Sequence, residues 1–185
     1  MKARGILAVL VGLAVAASAV AGEAAGVKMP DTATIEGKAL KLNGIGLRKK
    51  MMFQVYVAAL YVESPSNDPG TLVSSEQVKS ITLHILRSLD GAQIGEAISD
   101  GFWHNSRKET GALNDRLQKL VGWFPAVVKG DEIVLTYVPG KGTSVTAKGQ
   151  AKGVIEGKDF ADALFMVWLG GNPVQEDLKR ALSHG

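Results

Sequence analysis

Leu42-Asn-Gly-Ile-Gly-Leu-Arg48-Lys-Lys-Met-Met-Phe53-Gln-Val-Tyr56-Val-Ala-Ala-Leu-Tyr61-Val-Glu63 decides the reading of this chain. It opens on two glycines, sets an arginine where a turn is expected, and runs into a segment of β-branched, aromatic and small residues. From Met52 to Val62 only Gln54 is strongly polar, which predicts a central strand and not a helix. With period-two alternation, Phe53, Val55, Val57, Ala59 and Tyr61 share one face, and Gln54, Tyr56, Ala58, Leu60 and Val62 share the other. The second face carries an amide and a phenol. Buried hydroxyls need partners, so a polar site within an apolar shell belongs on that side.

The rest of the chain supplies the frame. Met-Lys-Ala-Arg followed by an apolar run from Ile6 to Ala16, then Ala19-Val20-Ala21, has the form of a secretory leader; an uncleaved anchor is the alternative. The expected division is a signal peptide over 1–21 and one domain over 22–185. Removing Lys2 and Arg4 with the leader brings the net charge of +3 to near +1, so the high pI is no nucleic-acid footprint. Cysteine is absent, which excludes disulfides, thiolate metal sites and a lipid-bearing cysteine. A soluble periplasmic or secreted protein is expected, with no stable membrane insertion after cleavage.

Outward from the central strand, residues 22–37 read as a lead-in with a short edge strand. Lys38–Leu42 reads as a first strand stopped by Asn-Gly-Ile-Gly. Ser64–Gly70 reads as a loop, and Lys79–Leu89 as another strand. Ile94, Ala97, Ile98, Gly101 and Phe102 form a helical stripe after Asp90, and Leu113, Leu117, Leu120 and Val121 form a second. Glu132–Val138 and Thr143–Lys148 predict a hairpin about Pro139–Gly142. Gly149–Gly157 reads as turn, Asp159 as the N-cap of a helix through Trp168, and Val174–Ser183 as a last helix. Strands, helices, strands, helices in that order predict an α+β chain with an antiparallel sheet.

Most chemical motifs fall away. Gly140-Lys141-Gly142-Thr143 joins two strands and is a hairpin turn, not a phosphate loop. His84, His104 and His184 lie on different elements without ligand spacing, so no metal is expected; no cofactor fingerprint is present. Arg48 and Tyr56 remain. A guanidinium fork matches a carboxylate, and a phenol can add a bond to the same oxygens. The plainer alternative is a solvated turn cation and a core tyrosine.

Three ordered blocks carry a resemblance: Leu42–Glu63; Ile133-Val-Leu-Thr-Tyr-Val-Pro-Gly140 with Gly-Thr-x-Val; and Ile155-x-Gly-x-x-Phe160-Ala-x-Ala-Leu-x-x-x-Trp168-Leu-Gly. Together they resemble the chalcone isomerase-like family, in particular its exported bacterial branch. The resemblance implies an open-faced β-sandwich: a long antiparallel sheet covered by a layer of helices, smaller strands on the other side, and a ligand cleft between sheet and helices. In the plant enzymes an arginine steadies an oxyanion while Thr, Tyr, Asn and Ser/Thr side chains complete the hydrogen-bond network. Arg48 matches that arginine, and the strand threonine falls on Tyr56. The helix tyrosine and asparagine fall near Ile94 and Gly101, and the late Ser/Thr falls on Val167. Each lost bond to a reacting oxyanion costs about 2.7–4 kcal/mol, so no catalytic residue is assigned. The Arg-plus-Tyr pair is similar to that of the family's fatty-acid-binding members. The resemblance thus implies a small amphipathic carboxylic acid, such as a fatty acid, held by Arg48 and Tyr56 with Ile94, Val167 and Trp168 about its tail. An intramolecular lyase or isomerase acting on a chalcone-like enone, and a partner-binding protein whose cleft is filled by Trp168, Phe102 and methionines, are the alternatives.

Overall fold

The computed structural model describes residues 20–106 and 111–184. The expected leader lies outside the described residues, apart from the backbone of Val20 and Ala21. In chain order the elements are β1 (Val20–Ala24), β2 (Val27–Pro30), β3 (Thr32–Ile35), β4 (Lys38–Lys50), β5 (Phe53–Val62), α1 (Pro69–Ser74), β6 (Lys79–Ile85), α2 (Gly91–Asn105), α3 (Gly111–Val121), β7 (Glu132–Val138), β8 (Gly142–Ala147), β9 (Gln150–Ile155), α4 (Lys158–Leu169) and α5 (Glu176–Ser183). Strands β3 to β9 form one sheet in sequential order, and every neighbouring pair is antiparallel. Strand β5 is interior to it, as its apolar run requires.

The two faces of β5 are covered differently. Ala58, Leu60 and Val62 join Ile81, Leu83 and Ile85 of β6 and the apolar sides of α2, α4 and α5 in the main core. Ala59 and Tyr61 face a smaller core with Met29 and Leu40, beneath the β1–β2 hairpin. Helix α4 is apolar nearly all round, with Phe160, Leu164, Phe165, Val167 and Trp168 buried, as befits a helix with neighbours on most sides. The result is the α+β open-faced sandwich: a long antiparallel sheet, helices on one face, a small hairpin on the other.

Several local expectations are corrected. Asn43-Gly-Ile-Gly46 is not a turn; β4 runs through it with a register shift between Leu42 and Gly44. A Cβ on Gly44 would lie 2.2 Å from the Ala181 carbonyl oxygen, and one on Gly46 would lie 2.7 Å from the Ala181 methyl. These glycines let α5 lie directly on β4. Residues 22–37 hold parts of three strands, not one, and 150–155 form β9 where turn was expected. Gly153 within β9 makes room for the Trp123 ring, 2.7 Å from where a Cβ would sit. Asp159 is not the N-cap; Gly157 is, at φ +100°. The Asp159 carboxylate instead accepts two N–H bonds from the Arg116 guanidinium, at 2.9 and 2.6 Å, which holds its pKa below the usual carboxylate range. Strand β6 ends at Ile85 and α5 begins at Glu176, both shorter than their apolar patterns.

Candidate functional site

A hollow of about 640 Å³ opens between the β5–β6 end of the sheet and α2. Its size lies in the range of small-molecule sites. Val55, Leu83, Ile85 and Ile133 form the sheet wall, Ile94, Ala97, Ile98 and Gly101 the α2 wall, and Val167 and Val174 the inner end. Helix α2 is placed there by its own sequence. Asp90 and Gln93 form a reciprocal capping box at its start, and its buried side is Ile94, Ile98, Gly101 and Phe102. Gly101 lets Val167 and Val174 approach, since a Cβ would meet them at 2.8 and 3.3 Å.

Arg48 and Tyr56 are directly paired across β4 and β5, which puts their side chains on one face as cross-strand neighbours, and both line the hollow. The Arg48 guanidinium is half-buried. Its Nη1 donates to the Lys49 carbonyl and to Gln175 Oε1 at 3.3 Å, and it makes no ion pair among the described residues. Gln175, just before α5, also accepts from the Lys49 N–H at 2.8 Å and donates to the Leu47 carbonyl at 3.3 Å. It thus clamps the end of β4 that carries Arg48. No sequence signal marked Gln175, because an amide imitating a strand neighbour has no periodicity.

Tyr56 is oriented from behind. Its hydroxyl oxygen accepts from Trp168 Nε1 at 2.9 Å. Burial pushes the phenol above its ordinary pKa, against the weaker opposing pulls of the Trp168 N–H and the Arg48 charge. A neutral phenol that already accepts from an indole keeps its own hydrogen to donate. Trp168 itself is fully buried and does not line the hollow, against the expectation that it stands about a tail; it lies behind Tyr56, whose hydroxyl it bonds. Ile94 and Val167 do line it.

The simple alternation is broken beside the site. Arg48 pairs with Tyr56, but the next pair is Lys49 with Gln54, so Val55 is an unpaired bulge residue. One extra residue reverses the alternation on its far side. Phe53 and Val55, expected on the opposite face, therefore line the hollow with Tyr56. Phe53 lies under the Arg87 guanidinium, 4.5 Å from the ring centroid. The filled-cleft alternative is also corrected: Phe102 and Trp168 are packed in the core behind the hollow, and Met51 stands exposed at its mouth. The mouth is two-sided in charge, with Arg48, Lys50 and Arg87 on the sheet lip and Glu96, Asp100 and His104 on the α2 lip. Among the described residues no His, Cys, Asp or Glu cluster could hold a metal ion, and no helix is long and apolar enough to cross a membrane.

With this geometry in hand, comparison with known proteins decides the family. Residues 21–183 match the chalcone isomerase-like family. The chain belongs to that family. Its fold is similar to the crystal structure of the Arabidopsis thaliana fatty-acid binding protein AtFAP1, with a TM-score of 0.67 at 17% identity, covering 85% of this chain and 92% of that one. No curated protein matches the chain by sequence. At that identity the likeness to AtFAP1 is one of fold.

Proposed function

We propose that this chalcone isomerase-like protein binds an amphipathic carboxylic acid, a fatty acid being the fitting class, without transforming it. The carrying observation is the registered Arg48–Tyr56 pair at the wall of an apolar hollow. The carboxylate takes charge-assisted bonds from the guanidinium and one from the Tyr56 hydroxyl, while the tail lies between Ile85, Leu83 and Ile133 on one side and Ile94, Ile98 and Val167 on the other. The likeness of fold to AtFAP1, a fatty-acid binding protein, supports the ligand class. Absence of catalysis is supported by what stands at the positions matched to the enzymes' hydrogen-bonding set: Ile94, Gly101 and Val167 offer no side-chain donor to a developing oxyanion. The protein acts in the periplasm or outside the cell, a reading that rests on the leader-like residues 1–21.

Thermal-shift titration with medium- and long-chain acids tests the binding. Stabilisation that grows with ligand and is lost in Arg48→Ala supports it. No stabilisation by any acid, or an equal effect in Arg48→Ala, sinks it. Chalcone absorbance followed with purified protein tests the other half: decay above buffer that vanishes in Arg48→Ala would make the protein an isomerase.

A further inference from the structure

The hairpin joining β4 to β5 has an unusual tip. Lys50 pairs with Phe53 across a two-residue loop, Met51-Met52. Met51 and Met52 are 89% and 88% exposed, and Phe53 is 52% exposed. Single exposed apolar residues need no explanation, but here three large ones are consecutive; Val128 and Val154 are the others so exposed among the described residues. Met51 sits at φ +56°, a conformation that glycine or asparagine adopts at less cost. Two methionines thus stand in a loop where turn chemistry favours small polar residues. Folding does not ask for them.

Cations surround this tip. Lys49, Lys50 and Arg87 are exposed and make no ion pair among the described residues. We infer that the β4–β5 hairpin tip docks on an anionic lipid bilayer, with Met51, Met52 and Phe53 entering the headgroup–acyl boundary and the three cations held by acidic headgroups. Adaptable thioethers suit a disordered apolar medium, and apolar side chains combined with basic ones are the chemistry of interfacial binding. The charge of the facing lip sets the orientation. Glu96 and Asp100 on α2 are repelled by an anionic surface, so the sheet lip enters while the helix lip stays off and the mouth of the hollow points at lipid. Passage of an acid from bilayer to hollow is a consequence that rests on the proposed function; the docking itself does not.

Co-sedimentation with vesicles tests this, using full-length mature protein and no added acid. Phosphatidylcholine vesicles containing phosphatidylglycerol are compared with pure phosphatidylcholine, at low and high salt. Binding is expected on the anionic vesicles at low salt, at least about tenfold weaker on neutral ones. Lys49→Gln/Lys50→Gln should weaken it about 25-fold, at about fivefold per cation. Met51→Asn/Met52→Gly should weaken it at least about tenfold while melting close to wild type, because asparagine adopts the positive φ at position 51 at less cost than methionine. Absence of binding to anionic vesicles, or binding unchanged in Met51→Asn/Met52→Gly, overturns the inference. So does self-association that this variant abolishes without any vesicle binding, which would make a second copy the occupant. Acid titration in vesicle-free solution reads the proposed function separately, so either can fail while the other stands.

Discussion

A phenol oxygen that accepts from the Trp168 indole has its hydrogen left to give, and a guanidinium beside it has charge left to give; the two should not weigh equally. A hydrogen bond to a charged group contributes about 1.5–3 kcal/mol; the planar guanidinium fork can give a carboxylate two of them, the phenol one. By calorimetric titration Tyr56→Phe, which loses one such bond, should weaken acid binding roughly ten- to hundredfold, and Arg48→Ala, which loses the fork and its charge, by more than about a hundredfold. Arg48→Lys should recover only part of the loss, because an ammonium lacks the planar fork. Trp168→Phe is the test of the positioning role. It frees Tyr56 without touching the ligand, so affinity should fall toward the Tyr56→Phe value, and Tyr56→Phe added to it should cost nothing more. Additive losses would mean that Trp168 acts by another route. Elsewhere in the core, Lys79 is fully buried, and its ammonium donates to the carbonyls of Leu72, Val73 and Ser75 at the end of α1. Burial lowers its pKa from 10.5 to about 8, only partly offset by Asp162. Between those values the unfolded chain keeps a proton that the folded chain has released, so this residue's contribution to stability rises with pH from 8 to 10.5 and is least favourable below pH 8. Urea unfolding across that window should show wild type gaining on Lys79→Met as pH rises. A constant difference would show that the ammonium is fully compensated where it lies.

At the scale of elements, α5 carries the clamp on Arg48 and is seated by glycines. Leu178 and Leu182 enter the main core, and Asn43 Nδ2 donates to the Leu182 carbonyl at 2.7 Å. A Cβ on Gly44 meets backbone oxygens of Ala181 and Leu182 at 2.2 and 2.6 Å, whereas one on Gly46 meets the Ala181 Cβ at 2.7 Å, which moves only with its helix, and the flexible end of Leu178 at 2.8 Å. Both Gly44 contacts are with backbone and closer, while one of the two at Gly46 can swing away. Gly44→Ala should therefore cost more than Gly46→Ala, toward the upper end of about 1–3 kcal/mol for overpacking, read as a shift in urea midpoint. It should also weaken acid binding, since displacing α5 displaces Gln175. The same glycines show what the sequence conceals. Central strand β5, the stripe of α2 and the β7–β8 hairpin were legible because each rests on a period or a turn pair, whereas the layering came only from the family resemblance. Gly44, Gly46 and Gly153 were misread as turns because a glycine that admits a helix or an indole looks, in sequence, like one that bends the chain. The bulge at Val55 was hidden for a related reason. Period-two alternation through Phe53-Gln-Val-Tyr56 gives no sign that one residue is left out of the ladder.

The hollow belongs to no single element, and that is why periodicity could name its wall residues in part but not the space between them. Arg48 and Tyr56 were visible as chemistry, and Ile94 and Val167 through family positions. Leu83, Ile85 and Ile133 read only as strand core, since a side chain facing a cleft and one facing a helix are equally apolar. Nor could sequence alone tell an open cleft from a filled one. Occupying the space tests whether it is the space that matters. Ala97 is exposed yet lines the hollow from α2, so a larger side chain there can turn inward without displacing packed core. Ala97→Trp should bury its indole against Ile85 and Ile94 and should melt at or above wild type, because apolar surface leaves water at about 25 cal/mol per Å². A ligand at about a hundredfold its Kd stabilises a single-site protein by about 2.7 kcal/mol, a rise of roughly 5–10 °C in Tm for a domain of this size. Wild type should show that rise with a saturating long-chain acid, and Ala97→Trp should show little of it while Arg48 and Tyr56 remain in place. A full rise in Ala97→Trp would mean that the tail does not run between sheet and α2, whatever the headgroup does.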